Sequence, residues 1–213
     1  MDKNLKIITK IKEDAMIKAF ERNNMQITFV ENFEQLHNYL KKYLCNQRTV
    51  SLGGSMTLFE TGVIDLLHQS NIILHDRYQE GLSREEMQEI FKKAFTSDLF
   101  ISSTNALTTD GCLYNIDGNG NRVAAMIYGP KEVIIIAGKN KIFDSEEAAI
   151  NHIKTVSAPA NAVRLNKKTP CVKTGTCMNC TSSERICSSY VKLGYQGNIG
   201  RIKIVIVDQD LGY

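Results

Sequence analysis

The sequence predicts an α/β fold made of parallel βαβ units. Two observations carry this prediction. Short apolar runs alternate with helical patterns through the first hundred residues. One such run, Thr49-Val-Ser-Leu52, passes directly into Gly53-Gly54-Ser55 and then a helix start.

The elements follow in order. Leu5, Ile8, Ile11, Ala15, Ala19 and Phe20 recur at helical spacing and predict a helix from Asn4 to Asn23. Gln26–Val30 reads as extended. Asn32 is a natural N-cap for a helix through Leu44. The helix after the glycine turn carries Leu58, Val63, Leu66 and Leu67, and Ile72–Leu74 is a buried strand. Ser83 and Glu86 form a capping box for a helix to Ala94, and Leu99–Ser102 is the next strand. In the second half, Gly111–Ile116 and Arg122–Tyr128 flank Asp117-Gly-Asn-Gly-Asn121, a hairpin signal. Glu132–Ala137 is a strand. Ser145 starts a helix to Ile153, a further helix follows Pro159 to Leu165, and Ile202–Val207 is the last strand. With no repeat, low-complexity tract or linker, the expectation is one domain over residues 1–213. The cysteine-rich segment 170–188 lies within it, between the last helix and the last strand.

Composition narrows the function classes. Apolar residues make up 43% and charged residues 23%, as in an ordinary globular chain. A net charge of +3 with scattered basic residues argues against nucleic-acid or anionic-membrane partners. The most apolar stretch, Val133–Ala137, is too short to span a bilayer. The first residues carry no secretory pattern, so the cytoplasm is the expected compartment. Six cysteines in that setting read as thiols or ligands, not as a disulfide framework.

Four of those cysteines fall within one short segment. Cys171, Cys177, Cys180 and Cys187 have the spacing C-x5-C-x2-C-x6-C. A C-x2-C pair lets two thiolates converge from a tight turn, and Gly175 lets the chain bend so that Cys171 approaches too. Thr181 and Glu184 suggest a capping box and a short helix carrying Cys187 toward Gly194. Lys173 and Arg185 would offset thiolate charge. Spacing alone leaves two cofactors open, a structural Zn2+ and a [4Fe-4S] cluster. Cys45 reads as a packing residue at a helix end. Cys112 stands beside Asp110 and Gly111 and is a weaker candidate for a site thiol.

Two further clusters could bind a small ligand. Gly53 and Gly54 allow close backbone approach, and Ser55 begins a helix whose N–H groups can hold an anion. Glu60 follows in that helix. After the Leu99–Ser102 strand come Thr104, Asn105, Thr108 and Asp110, where α/β proteins place ligands. Asn115, Asp117, Asn119 and Gly120 imitate a calcium loop, but Met126 stands where its bidentate glutamate belongs, so calcium is rejected. His37, His68, His75 and His152 show no ligand spacing.

Three motifs occur in sequence: SLGGSMTLFETG (Ser51–Gly62), TNALTTDGCLYNIDGNGNRV (Thr104–Val123) and YGPKEVIIIAGKNK (Tyr128–Lys141). They resemble the LUD-domain family, the proteins called lactate utilisation protein C or YkgG-like. APANAVRL (Ala158–Leu165) and the cysteine segment are similar to a form found in anaerobic bacteria. The resemblance covers essentially the whole chain. It implies a Rossmann-like sheet of the NagB/RpiA/CoA-transferase type. It implies anion binding at Gly53, Gly54, Ser55 and Thr57, and acid/base roles for Glu60 and Asp110. It links the chain to oxidation of lactate or another 2-hydroxy acid alongside iron–sulfur partner proteins, and it favours [4Fe-4S] over zinc. Two alternatives stand beside this. One is a metabolite- or partner-binding protein with a structural zinc, and the other is an isomerase- or CoA-transferase-like enzyme. A small anionic metabolite is expected as ligand, and homo-oligomerisation is left open.

Overall fold

A computed structural model describes residues 2–213. Among the described residues, ten strands and nine α-helices form two sheets with helices against them. The larger sheet has six strands, all parallel, in the order β1-β10-β7-β4-β2-β3. These are β1 (Gln26–Val30), β2 (Thr49–Leu52), β3 (Ile73–His75), β4 (Leu99–Ser102), β7 (Glu132–Gly138) and β10 (Ile202–Val207). This is the parallel α/β fold that the sequence pattern predicts and the Rossmann-like sheet that the family resemblance implies.

Its strands are apolar on both sides because both sides are covered. Val133, Ile135 and Ala137 of β7 join Ile202, Ile204 and Ile206 of β10 in one core. Ile134, Ile136, Val205 and Val207 face the opposite way, into a second core. The period-two alternation of strand side chains makes this division. The first core is capped by Met16 and Phe20 of α1 (Lys3–Arg22) and by Ala125 and Met126 of α6 (Asn121–Ile127). The second is capped by α2 (Phe33–Lys41), α3 (Met56–Glu60) and α4 (Val63–His68). Only the C-terminal half of α1 packs inward. Leu5, Ile8 and Ile11 of its predicted stripe stay exposed.

Local chemistry explains most boundaries. Asn32 caps α2, accepting from the Gln35 N–H at 3.0 Å. Both halves of the Ser83–Glu86 capping box form at the start of α5 (Arg84–Lys93). The helix expected through Leu58 and Leu67 breaks in two because Gly62 adopts a left-handed φ of 66°.

The smaller sheet corrects two expectations. It has the order β8-β5-β6-β9, with β5 (Ala106–Thr108), β6 (Leu113–Asp117), β8 (Ile142–Phe143) and β9 (Ser189–Leu193). The hairpin is β5–β6, and its turn lies at Thr109–Cys112, not at Asp117–Asn121. Asp117 Oδ1 instead accepts from the N–H groups of Asn119 and Gly120, turning the chain into helix α6. There Val123 and Met126 bury one turn apart, a helical spacing. The second correction is the helix expected through Cys187 to Gly194. Residues 189–193 form β9, antiparallel to β6. Glu184 does not close a capping box; its carboxylate accepts from the Lys168 N–H at 3.0 Å. Cys45 lies beyond α2 and is exposed, so it does not pack.

Against the small sheet lie α7 (Glu146–His152) and α8 (Ala158–Arg164), joined by a π-helical turn over Ile153–Ser157. The short helix α9 (Cys171–Thr174) opens the cysteine segment. Among the described residues no helix is long and apolar enough to cross a membrane.

Candidate functional site

Parallel strands deliver their loops to one edge of the sheet, and a cavity of about 460 Å³ lies there. The chain runs outward from β2 to β3 and then returns to β4 on the other side of β2. Such a reversal parts the loops on either side of it and opens a crevice. Gly54, Ser55 and Thr57 line the cavity after β2, Thr104 and Asn105 after β4, and Lys141 after β7. Gly53 sits just behind. A Cβ there would fall on Ser102 Oγ and within 2.7 Å of Ser102 Cβ, so only glycine lets the turn pass. Ser55 stands at the N-cap of α3 without bonding to the helix.

The walls are cationic. Arg77, Arg122, Lys141, Arg164, Lys167 and Arg185 line the cavity against two carboxylates, Asp117 and Glu184. Arg122 is committed to the fold. It donates to Ser103 O, Asn115 Oδ1, Asn105 Oδ1 and Ile116 O, and lies 3.4 Å from Asp117. Arg77 is different: its guanidinium lies over the Phe91 ring at 4.8 Å and faces Gly54. Burial lowers its pKa.

Lys141 is a strongly perturbed group in the cavity. Only 3% of it is exposed. Burial, with the Arg122 charge adding, pushes its amine down to about 7, while Glu60 acts in the opposite direction. Its Nζ lies 3.2 Å from Thr57 Oγ1, 3.1 Å from Ser103 Oγ and 3.1 Å from Thr104 O. Two of those partners are hydroxyls, which donate as readily as they accept. The cage therefore satisfies both the ammonium and the free amine, as a group exchanging protons near neutrality requires.

The other expected residues lie elsewhere. Glu60 is exposed and accepts from the Gly212 N–H at 2.6 Å, outside the cavity lining. Asp110 is exposed in the β5–β6 turn and bonded to Thr108 Oγ1. Thr108 is buried under that turn, also off the cavity. The sequence reading missed Arg77, Lys141, Ser157 and Arg164. Lys141 and Arg122 fall inside the quoted motifs, but nothing local marks either as buried.

The four cysteines converge. Cys171, Cys177, Cys180 and Cys187 line one small pocket with Thr169, Met178, Arg185 and Ile186. Donors already surround the sulfurs. Thr169 Oγ1 lies 3.2 Å from Cys171 Sγ, the Asn179 N–H donates to Cys177 Sγ at 3.4 Å, and Arg185 Nη2 lies 3.7 Å from Cys187 Sγ. Gly175, at a φ of 72°, ends α9 and turns the chain back as expected. Among the described residues no three His, Cys, Asp or Glu side chains stand as a ready-made metal grip. The void between the sulfurs is about 10 Å³. The four thiols are the donor type that holds a thiolate-bound metal or cluster. Cys112 is buried apart from this group, and burial raises its pKa, the opposite of an activated thiol.

Arg185 and Ile186 line both the cavity and the cysteine pocket. Arg185 is held from the cysteine side, donating to Cys180 O at 2.9 Å and Cys187 O at 3.0 Å.

Comparison with known proteins agrees with this architecture. The crystal structure of a DUF162 family protein from Deinococcus radiodurans matches with a TM-score of 0.51. The match covers 93% of this chain and 96% of that one at 14% identity, a likeness of fold. No curated protein matches the chain. The model of the LUD domain matches residues 14–207. The chain belongs to the LUD-domain family.

Proposed function

We propose that this chain is a lactate-utilisation-type component of an iron–sulfur oxidoreductase system. Its cavity takes the anion of lactate or a related 2-hydroxy acid. The observation that carries this reading is the wall shared between the cationic cavity and the four-cysteine pocket, at Arg185 and Ile186. A carboxylate is drawn by the guanidinium groups. Lys141, poised near neutrality, is the group suited to take the hydroxyl proton. Oxidation of a 2-hydroxy acid to the keto acid releases two electrons and two protons. A [4Fe-4S] cluster held by Cys171, Cys177, Cys180 and Cys187 would pass the two electrons one at a time, in two successive transfers, to oxidised iron–sulfur partner proteins, with the second proton released to solvent. The isomerase- or transferase-like alternative relied on Glu60 or Asp110, and neither lines the cavity.

The test is anaerobic purification followed by iron, sulfide and zinc analysis, a visible spectrum and calorimetric titration with L-lactate. The expected result is a brown protein with iron and sulfide in equal amounts, a colour lost in Cys180→Ser, and measurable lactate binding. A colourless zinc protein would remove the electron-transfer role, and no heat with lactate would remove the substrate.

A further inference from the structure

The cavity is larger and more cationic than a three-carbon monoanion needs. At about 460 Å³ it falls in the range of roughly 300–1,000 Å³ typical of pockets enclosing drug-sized ligands. Lactate brings one negative charge. Of the six lining cations, Arg122 is compensated by Asp117, and Glu184 accepts from the backbone at Lys168. Arg77, Arg164, Lys167 and Arg185 make no ion pair among the described residues.

Unmet hydrogen-bonding capacity points the same way. Among the described residues, buried side-chain atoms without a partner occur on Arg77, Asn115, His152, Ser157 and Arg185. Three of these residues, Arg77, Ser157 and Arg185, line the cavity. An unpaired buried donor costs free energy comparable to a lost hydrogen bond, so such donors normally mark a missing partner. Ser157 is fully buried and is carried by the π-helical turn, a feature that recurs at functional sites. Arg77 lies over the Phe91 ring at 4.8 Å beside Gly54, whose missing side chain leaves the guanidinium room. The donors come from separate elements around one cavity, each with capacity left for a ligand's oxygens.

We infer that the cavity binds a phosphorylated ligand, whose several charged oxygens engage Arg77, Ser157 and Arg164 together, in addition to the hydroxy acid. This builds on the reading of the cavity as the ligand site. It is independent of what the cysteines hold.

Calorimetric titration of the full chain tests it, with pyrophosphate, inorganic phosphate, citrate and L-lactate at matched ionic strength. Pyrophosphate is expected to bind about tenfold or more tighter than L-lactate, and more weakly as salt is raised. Arg77→Met and Arg164→Met should each weaken it about fivefold or more, and Arg77→Lys should recover part of the loss. Arg164 is exposed, so its variant remains informative even if Arg77→Met fails to fold. Pyrophosphate binding no tighter than L-lactate overturns the inference. So does citrate binding tighter than pyrophosphate, or an affinity unchanged in Arg164→Met. Lactate binding without pyrophosphate binding would leave the proposed function standing and remove only this inference. Pyrophosphate binding to a protein free of iron, sulfide and lactate affinity would do the reverse.

Discussion

Lys141 shows how a single side chain can report on the whole site. Its amine is pushed down to about 7 from 10.5, so between these values the unfolded chain binds more protons than the folded one. Stability therefore rises with pH across that window, with a slope of at most about 1.4 kcal/mol per pH unit. Below pH 7 both states are protonated and the folded state bears the full cost of the buried charge. Denaturant titrations from pH 6 to pH 10 should show this rise in the native chain. Lys141→Met should flatten it, and equal slopes in the two proteins would refute the assignment. Gly53 makes the complementary point about space. Gly53→Ala places a methyl group on Ser102, and overpacking of this kind costs about 1–3 kcal/mol. A melting temperature unchanged in that variant would show that the β2–β4 joint yields.

At the scale of elements, the π-helical turn between α7 and α8 has the clearest consequence. It inserts an extra residue per turn over Ile153–Ser157 and sets the direction of Ser157. Val156 within it is 42% exposed, so its removal deletes little packing. Deleting Val156 should restore α-helical register and rotate Ser157 by about 100° relative to the preceding helix. Helix content by circular dichroism should hold while anion affinity falls several-fold. Unchanged affinity would mean that Ser157 takes no part. The capping box at α5 offers a plain control far from the cavity. Ser83→Ala should cost about 1 kcal/mol in denaturant titration and leave anion binding untouched.

Across the whole molecule, two sites meet at one residue. Arg185 is fixed by carbonyls of the cysteine loop and faces the anion cavity. A metal or cluster held by the cysteines would bear on those carbonyls, so loading and anion affinity should be linked. Linkage is reciprocal: each ligand changes the affinity for the other by the same factor. Anaerobic protein stripped by chelation should bind pyrophosphate several-fold differently from loaded protein, and Arg185→Met should erase the difference. Identical affinities in loaded and stripped protein would show that the sites are independent. Loading should also slow amide exchange across residues 171–187 relative to stripped protein.

The sequence determined the parallel sheet, because β7 and β10 must be apolar on both faces and their residues show it. It determined the helix caps at Asn32 and Ser83, which depend on neighbours three residues away. It also determined that four cysteines would share a pocket, since one short segment holds them all and Gly175 turns it. Tertiary structure decided the rest. Asp117–Asn121 reads as a hairpin turn in sequence, but in the fold Asp117 turns the chain into α6 and Arg122 is buried among four carbonyl and amide oxygens. Ser189–Leu193 became a strand because β6 offered an edge, a partner remote in sequence. The cavity's charge was not legible locally, because Arg77, Lys141, Arg164 and Arg185 come from four separate segments. Local patterning sets which residues are buried, but the crossovers and strand order set which distant residues meet, and it is there that a lysine's pKa falls toward neutrality and an arginine comes to line two pockets.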